Sequence, residues 1–472
     1  MALPVILVNA TGGSDTAASG AGPSTALTGT SASYATATVT LDGSPDLTDV
    51  ATDGSHVLYL VTSSSTRFFK ITAKDNGAKT VTVTPNPAGT ASGLTWAIGG
   101  KRASINSTSS RLLFEQAASA NGDLLPGWTI EMQSGHTETI TSRITWRRSG
   151  DTTSGPCLLR GEAGGTRPVL TANFDDICFN VRNGYQQMRF IEGVHTGTAT
   201  AATFVDMGGS TGPGALFDDI KLVTGWRKGF NQLIGATVIG CTVGNTSNDA
   251  ISNTNSTDGT RFINNYIYAA GAAGIVLNGA AGPQEVIGNI ISGCTTQGIQ
   301  DNCSRADASG GVVIAQNDIN ACGGSTISGY VRTTSANNGS LCSLVIINNY
   351  FRSNGKYGIE FLTSGTTEAM LKACGTVIRG NGYYNNTTGT ISISNVESGA
   401  VTGADPQNAS YGTSGDFSKG SSFTGKGAGY PSDYIGGGSA TRSYLDIGAA
   451  QRQEAGGAAG MLYIGGMSGG FE

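Results

Sequence analysis

Carboxylates and aromatic rings are the side chains of this sequence whose types and spacing suit chemistry on sugars. Asp249, Asp301 and Glu360 each fall near the same corner of a repeating pattern. Two carboxyls about 5–5.5 Å apart suit retaining glycoside hydrolysis, and about 6.5–9.5 Å suit inversion. Asp301 stands three residues after Gly298, whereas Glu360 stands two after Gly358. Continuous strands would therefore turn the two carboxyls to opposite faces. Glu192 and Asp206 are further acidic candidates, and Asp301, Arg305 and Asp307 (DNCSRAD) form the cluster nearest to the acid-plus-base set of a cation-assisted lyase. Solvated loop carboxylates are the competing reading for all of them.

Five aromatics are candidates for stacking on sugar rings: Trp226, flanked by Arg227 and Lys228, and Tyr350, Tyr357, Tyr383 and Tyr384. Such rings equally pack in corners or between subunits. His56, His136 and His195 give no Ser-His-Asp order and read as surface or turn residues.

The elements that position these groups are short strands in a repeat. Six stretches between residues 237 and 394 open with an aliphatic burst, break at Asn or Gly, and resume with a second aliphatic pair. The opening apolar residue recurs at Val238, Phe262, Val286, Val313, Val345 and Val377. A repeat of this length without helical phase marks a β-solenoid, in which each coil buries its apolar face only against its neighbours. Coils about 4.8 Å apart also let side-chain amides at one corner bond down the stack. Asn265, Asn289, Asn317, Asn349 and Asn381 are in phase for that ladder. Gly274, Gly298, Gly358 and Gly389 recur at a second corner, where positive φ is the expected reason for glycine.

Composition agrees with an all-β chain rich in turns: 72 of 472 residues are Gly, and only 13% are charged. A net charge of −5 leaves no basic footprint for nucleic acid. No stretch approaches a membrane span, and MALPVILVNATGG lacks a basic region ahead of its short apolar run. Cys157, Cys178, Cys241, Cys294, Cys303, Cys322, Cys342 and Cys374 contain no CxxC, so reduced core thiols are expected, with no metal and no cofactor.

Residues 1–105 read as a β-rich domain with a low-complexity arm, and 67–85 as a hairpin turning at Asp75-Asn76-Gly77. Residues 106–396 read as the solenoid, and 397–472 as an irregular Gly-rich cap and tail.

The coils resemble the right-handed parallel β-helix of the pectate-lyase-like superfamily. The segment SYLDIGAAQRQE (443–454) resembles one near the end of many such proteins. VNATGGSDTAASGAGPSTALTGT and LTWAIGGKRA resemble N-terminal regions of tailed-phage virion proteins. The resemblance implies an all-β virion surface protein assembled in the host cytoplasm: a homotrimeric tailspike or fibre. Its N-terminal domain would bind other virion proteins, and its solenoid a host cell-surface polysaccharide. A capsid decoration protein and a polysaccharide-degrading lyase or glycosidase are the alternatives. Asp175-Asp176 and Asp218-Asp219 are present, but the Gly-His-Gly and Arg-x-Lys elements of a polygalacturonase-like site are not.

Overall fold

Parallel pairing of short strands builds most of this chain, seen here in a computed structural model. It describes residues 3–18, 22–61, 68–87, 89–115, 122–197, 200–208, 213–253, 259–278, 282–303, 311–333, 343–362, 366–403 and 405. Two compact units divide the chain, Met1–Ser247 and Asn248–Glu472.

In the first unit, Leu27–Ala35, Thr38–Thr40, Thr80–Thr84, Phe68–Asp75, Val57–Leu60 and Thr90–Ile98 close an antiparallel barrel. Tyr34, Leu58, Phe69, Val81 and Trp96 fill it. The expected hairpin is present: Asp75 pairs with Thr80, and the Asp75 carboxylate accepts from the N–H groups of Gly77 (2.8 Å) and Ala78 (3.0 Å). The barrel is an insertion. Val5–Val8 pairs in parallel with Thr129–Met132, which pairs in turn with Cys157–Gly161. Arg102 secures the return. Its guanidinium is buried over the rings of Tyr59 and Phe68, 5.3 and 5.4 Å from their centroids, and donates to Ala17 O and Ser110 Oγ. Burial lowers its pKa to about 10, and Asp15 opposes that shift.

Each full coil of the second unit has three short strands. Thr260–Ile263, Gln284–Ile287, Val312–Ala315, Leu344–Ile347 and Val377–Arg379 stack as one sheet. Tyr266–Tyr268, Ile290–Ser292, Asp318–Asn320, Tyr350–Arg352 and Gly382–Tyr384 stack as the next. The third includes Ile275–Asn278, Ile299–Asn302, Tyr330–Arg332 and Tyr357–Phe361. All-β parallel solenoid is therefore the fold.

The asparagine ladder is present. Nδ2 of Asn265, Asn289, Asn317 and Asn349 donates to Oδ1 of the next asparagine at 2.9–3.0 Å, over steps of 24, 28, 32 and 32 residues. The same oxygens accept the backbone N–H of the preceding rung. Longer steps lodge their extra residues between strands, as in the helix Glu368–Ala373.

Two sequence expectations change. The inward column is Phe262, Val286, Ile314, Ile346 and Ile378, so the repeat read at Val313, Val345 and Val377 is one residue out of phase. Because side chains alternate along a strand, that slip moves the three valines to the outer face. The corner glycines are also needed for a different reason. Gly274, Gly298 and Gly358 are not in the positive-φ region, and Gly389, at φ 158°, is close to extended. A Cβ would stand 2.6 Å from Ile291 Cγ2 at Gly274, from Ile319 Cγ2 at Gly298 and from Tyr383 Cδ1 at Gly358. Positive φ falls instead on the residue before each ladder asparagine: Asn264, Gly288, Gln316, Asn348 and Gly380.

Candidate functional site

Positions one and three of the second strand in each coil point away from the core, because position two is the buried Ile267, Ile291, Ile319, Phe351 or Tyr383. In register, position one runs Tyr266, Ile290, Asp318, Tyr350, Gly382, and position three runs Tyr268, Ser292, Asn320, Arg352, Tyr384. Polar groups join neighbouring coils along this strip. Arg352 Nη1 donates to Asn320 Oδ1 at 3.0 Å, and Asn320 Nδ2 donates to Ser292 Oγ at 3.1 Å. Asp318 lies beside Tyr350. Burial first, and Asp318 next, push the Tyr350 phenol well up, while Arg352 opposes them, so Tyr350 is a neutral hydroxyl.

Aromatics stand at both ends. The Tyr266 and Tyr268 rings, both half-buried, stack with centroids 5.0 Å apart at 25°. Burial and then the neighbouring Tyr268 phenol raise the Tyr266 pKa. Half-buried Tyr384 and fully buried Tyr350 occupy the other end. From Tyr268 to Tyr384 is four coil steps, about 19 Å at the inter-strand spacing. Ser292, Asp318, Asn320 and Tyr350 are buried, so at the surface the strip offers the rings of Tyr266, Tyr268 and Tyr384 and the Arg352 guanidinium, groups that hold sugars by stacking and hydrogen bonds.

The sequence candidates scatter. Tyr350 and Tyr384 belong to the strip. Tyr383 is in the core, its ring stacked on Phe351 at 5.5 Å. Tyr357 is half-buried on the third strand, with Lys356 Nζ 5.6 Å from its ring centre. Trp226, read as an exposed patch, is only 1% exposed, donates to Gly193 O at 3.0 Å and packs against His195 and Phe204. Tyr266, Tyr268, Asn320 and Arg352 went unnoticed in the sequence. A Tyr-x-Tyr pair on a strand puts both rings on one face, which was the available signal.

The proposed carboxylate site does not assemble. Asp301 is fully buried in the column Leu277, Asp301, Arg332, Phe361, whereas Glu360 registers one residue away, with Val331 and Gln300. Asp301 accepts from Tyr330 O–H (2.6 Å) and Cys303 N–H (2.8 Å), and Arg332 Nη1 lies 3.7 Å away. Glu360 pairs with Lys356 and accepts from Ser328 Oγ at 2.6 Å. Asp249 accepts the Ala273 N–H at 3.2 Å, Glu192 pairs with Lys221 at 3.0 Å, and Asp206 accepts from Asn231 Nδ2 and Gly208 N–H, both at 2.6 Å. Arg305, Asp307, Cys342 and the segment 443–454 lie outside the described residues.

The histidines, expected at surfaces or turns, are all buried. Nδ1 of His56 and of His136 accepts a backbone N–H, from Ala51 and Ala10, both at 3.0 Å, and His195 Nε2 meets Phe174 O at 3.1 Å. Backbone partners make burial of the imidazole tolerable. No disulfide joins the seven described cysteines, and six of them are buried. No group of three or more His, Cys, Asp or Glu residues suited to a metal occurs among the described residues. No described helix is long and apolar enough to cross a membrane.

This geometry defines an all-β protein of the parallel-solenoid class carrying an inserted barrel. No family model and no curated protein matches the sequence. Among solved structures, pectate lyase Pel9A is 16% identical, covering 71% of this chain and 90% of its own, with a TM-score of 0.42. The A-module of the Azotobacter vinelandii mannuronan C-5 epimerase AlgE6 is 14% identical over 60% of this chain and 92% of its own, with a TM-score of 0.32. The catalytic unit of a Streptomyces thermodiastaticus α-1,3-glucanase is 13% identical over 80% of this chain and 90% of its own, again at 0.32. Likeness this distant transfers neither activity nor substrate.

Proposed function

We propose that this protein is a surface protein of a tailed-phage virion, a homotrimeric tailspike or fibre whose solenoid holds a host-surface glycan. The observation that carries the glycan reading is the outward strip, with half-buried Tyr266, Tyr268, Arg352 and Tyr384. Trimerisation draws support from a second face. The outer residues of the first strands in Asn248–Glu472 include Ile263, Ile287, Val313, Val345, Ile347 and Val377, and Val377 is 46% exposed. Contiguous aliphatic surface of this kind marks interaction sites more often than free surface. The inserted barrel is the part assigned to virion attachment.

Binding to a panel of host-surface polysaccharides tests the glycan reading. Tyr268→Ala and Tyr384→Ala should each weaken retention, whereas Ile291→Val, altered only in the core, should not. Antibody-gold labelling and copy-number mass spectrometry of particles test the location. A few trimers at the tail support the proposal; high copy number over the capsid makes the protein a decoration protein, and absence from particles refutes both. Release of reducing ends or unsaturated sugar by the wild type would bring the enzyme reading forward.

A further inference from the structure

The loop between Thr38–Thr40 and Val57–Leu60 lends Leu47 and Val50 to the barrel core, where they are fully buried. Three side chains fasten it. Asn76 Oδ1 accepts the Leu47 N–H at 3.0 Å, and Lys74 Nζ donates to Leu47 O at 2.7 Å and Thr48 O at 2.6 Å. His56 Nδ1 accepts the Ala51 N–H at 3.0 Å. The His56 carbonyl accepts the Ile71 N–H at 3.0 Å, so its backbone belongs to the barrel wall while its ring holds the loop. The Cε1 and Nε2 edge of that buried ring lies against Gly22. A backbone N–H only donates, so the bond from Ala51 requires a lone pair on Nδ1. An imidazolium carries N–H on both nitrogens and cannot accept it.

We propose that His56 is an acid-released latch: neutral, it pins the loop of Leu47 and Val50 to the barrel wall, and protonated, it lets the Ala51 end go. The charged residues of the flanking elements are Asp46, Asp49 and Asp53 in the loop, and Lys70, Lys74 and Asp75 in Phe68–Asp75. Residues 22–26 carry no charge, and Val57–Leu60 bring only Tyr59, whose ring lies under Arg102. Burial lowers the His56 pKa; Asp53 acts against that shift and Lys74 with it. Burial therefore has the same sign as the hydrogen bond. The latch holds above the ordinary histidine range and is lost as pH falls from there through the lowered value. Asp46 and Asp53 do not titrate in that window, because the hydroxyls of Thr48 and Ser55 hold them below the usual carboxylate range. His136 differs. Its Nδ1 also takes a backbone N–H, from Ala10, but Glu138 Oε2 lies 3.1 Å from its Nε2 and favours the imidazolium.

Hydrogen exchange of the whole chain, read by mass spectrometry from about pH 7.5 to about pH 5 and corrected for intrinsic rates, tests the latch. In the wild type, protection of residues 47–56 should fall about tenfold for each pH unit between the ordinary histidine value and the lowered one. Protection over Thr80–Thr84 should hold. His56→Asn offers an amide oxygen in place of Nδ1 without a titrating ring, and should make protection of 47–56 independent of pH. Asp53→Asn keeps the oxygen that Ser55 bonds but removes the charge that favours the imidazolium, and should move the decline to lower pH. A flat wild-type profile, or a decline that survives His56→Asn, overturns the inference. Should His56→Asn fail to fold, a decline in Asp53→Asn that stays in place or moves to higher pH overturns it instead.

Discussion

Asp301→Asn separates a structural from a catalytic carboxylate. Asp301 and Arg332 are 0% and 1% exposed by side chain, 3.7 Å apart, with no water-facing atom to absorb a change of charge. Asparagine keeps an oxygen for only one of the two donors, the Tyr330 O–H at Oδ2 or the Cys303 N–H at Oδ1, and removes the charge opposite the guanidinium. Removing one partner of a buried pair costs about 3–5 kcal/mol. The same column is Leu277 on one side and Phe361 on the other. Its environment therefore accepts apolar groups, and Asp301→Asn with Arg332→Met should recover most of the loss, as replacement of both partners commonly does. Urea unfolding followed by far-UV circular dichroism, together with exchange protection over Ile299–Asn302, gives the readout. An unchanged midpoint in Asp301→Asn, or a double variant no better than the single, refutes the ion-pair reasoning. Unchanged stability with loss of a glycan-cleaving activity would return Asp301 to the catalytic role considered from sequence.

Asn349→Leu should destabilise the second unit by about 1–3 kcal/mol, because it leaves the Asn317 backbone N–H without its acceptor, whereas Asn317 Nδ2 keeps Val286 O and Ala315 O. The same unfolding assay measures it, and a loss under about 1 kcal/mol would mean that the ladder is dispensable. Gly358→Ala should cost about 1–3 kcal/mol through its contact with the Tyr383 ring, and should be milder beside Tyr383→Leu, where the ring is gone. Iodoacetamide at about pH 8 should label half-buried Cys374 and spare Cys157 and Cys241 in the native protein, since burial pushes both thiols up to about 12. Rapid native labelling of Cys241 would contradict its placement in the core.

The strand repeat and the amide ladder were legible in the sequence, because every coil must place the same side chain over its neighbour and so writes its period into the chain. The hairpin at Asp75 was legible for a local reason: the turn carboxylate bonds N–H groups two and three residues on. Phase was less secure. Val313 and Ile314 are both aliphatic, so composition could not say which faces inward, and the variable inserts between strands hide the count that decides it.

Only tertiary structure decided which polar and aromatic groups meet solvent. Trp226 and Tyr383 were proposed as binding rings yet fill the core, and Asp301 was proposed as an acid yet neutralises Arg332. A solenoid buries residues from both faces of a strand wherever an insert or a neighbouring side chain covers the outside, so alternation no longer separates site from core. The pairing of Val5–Val8 with Thr129–Met132 across an inserted barrel was likewise beyond reach. Local pattern identifies a strand, but its partner is set by whichever edge remains open when the intervening chain has folded.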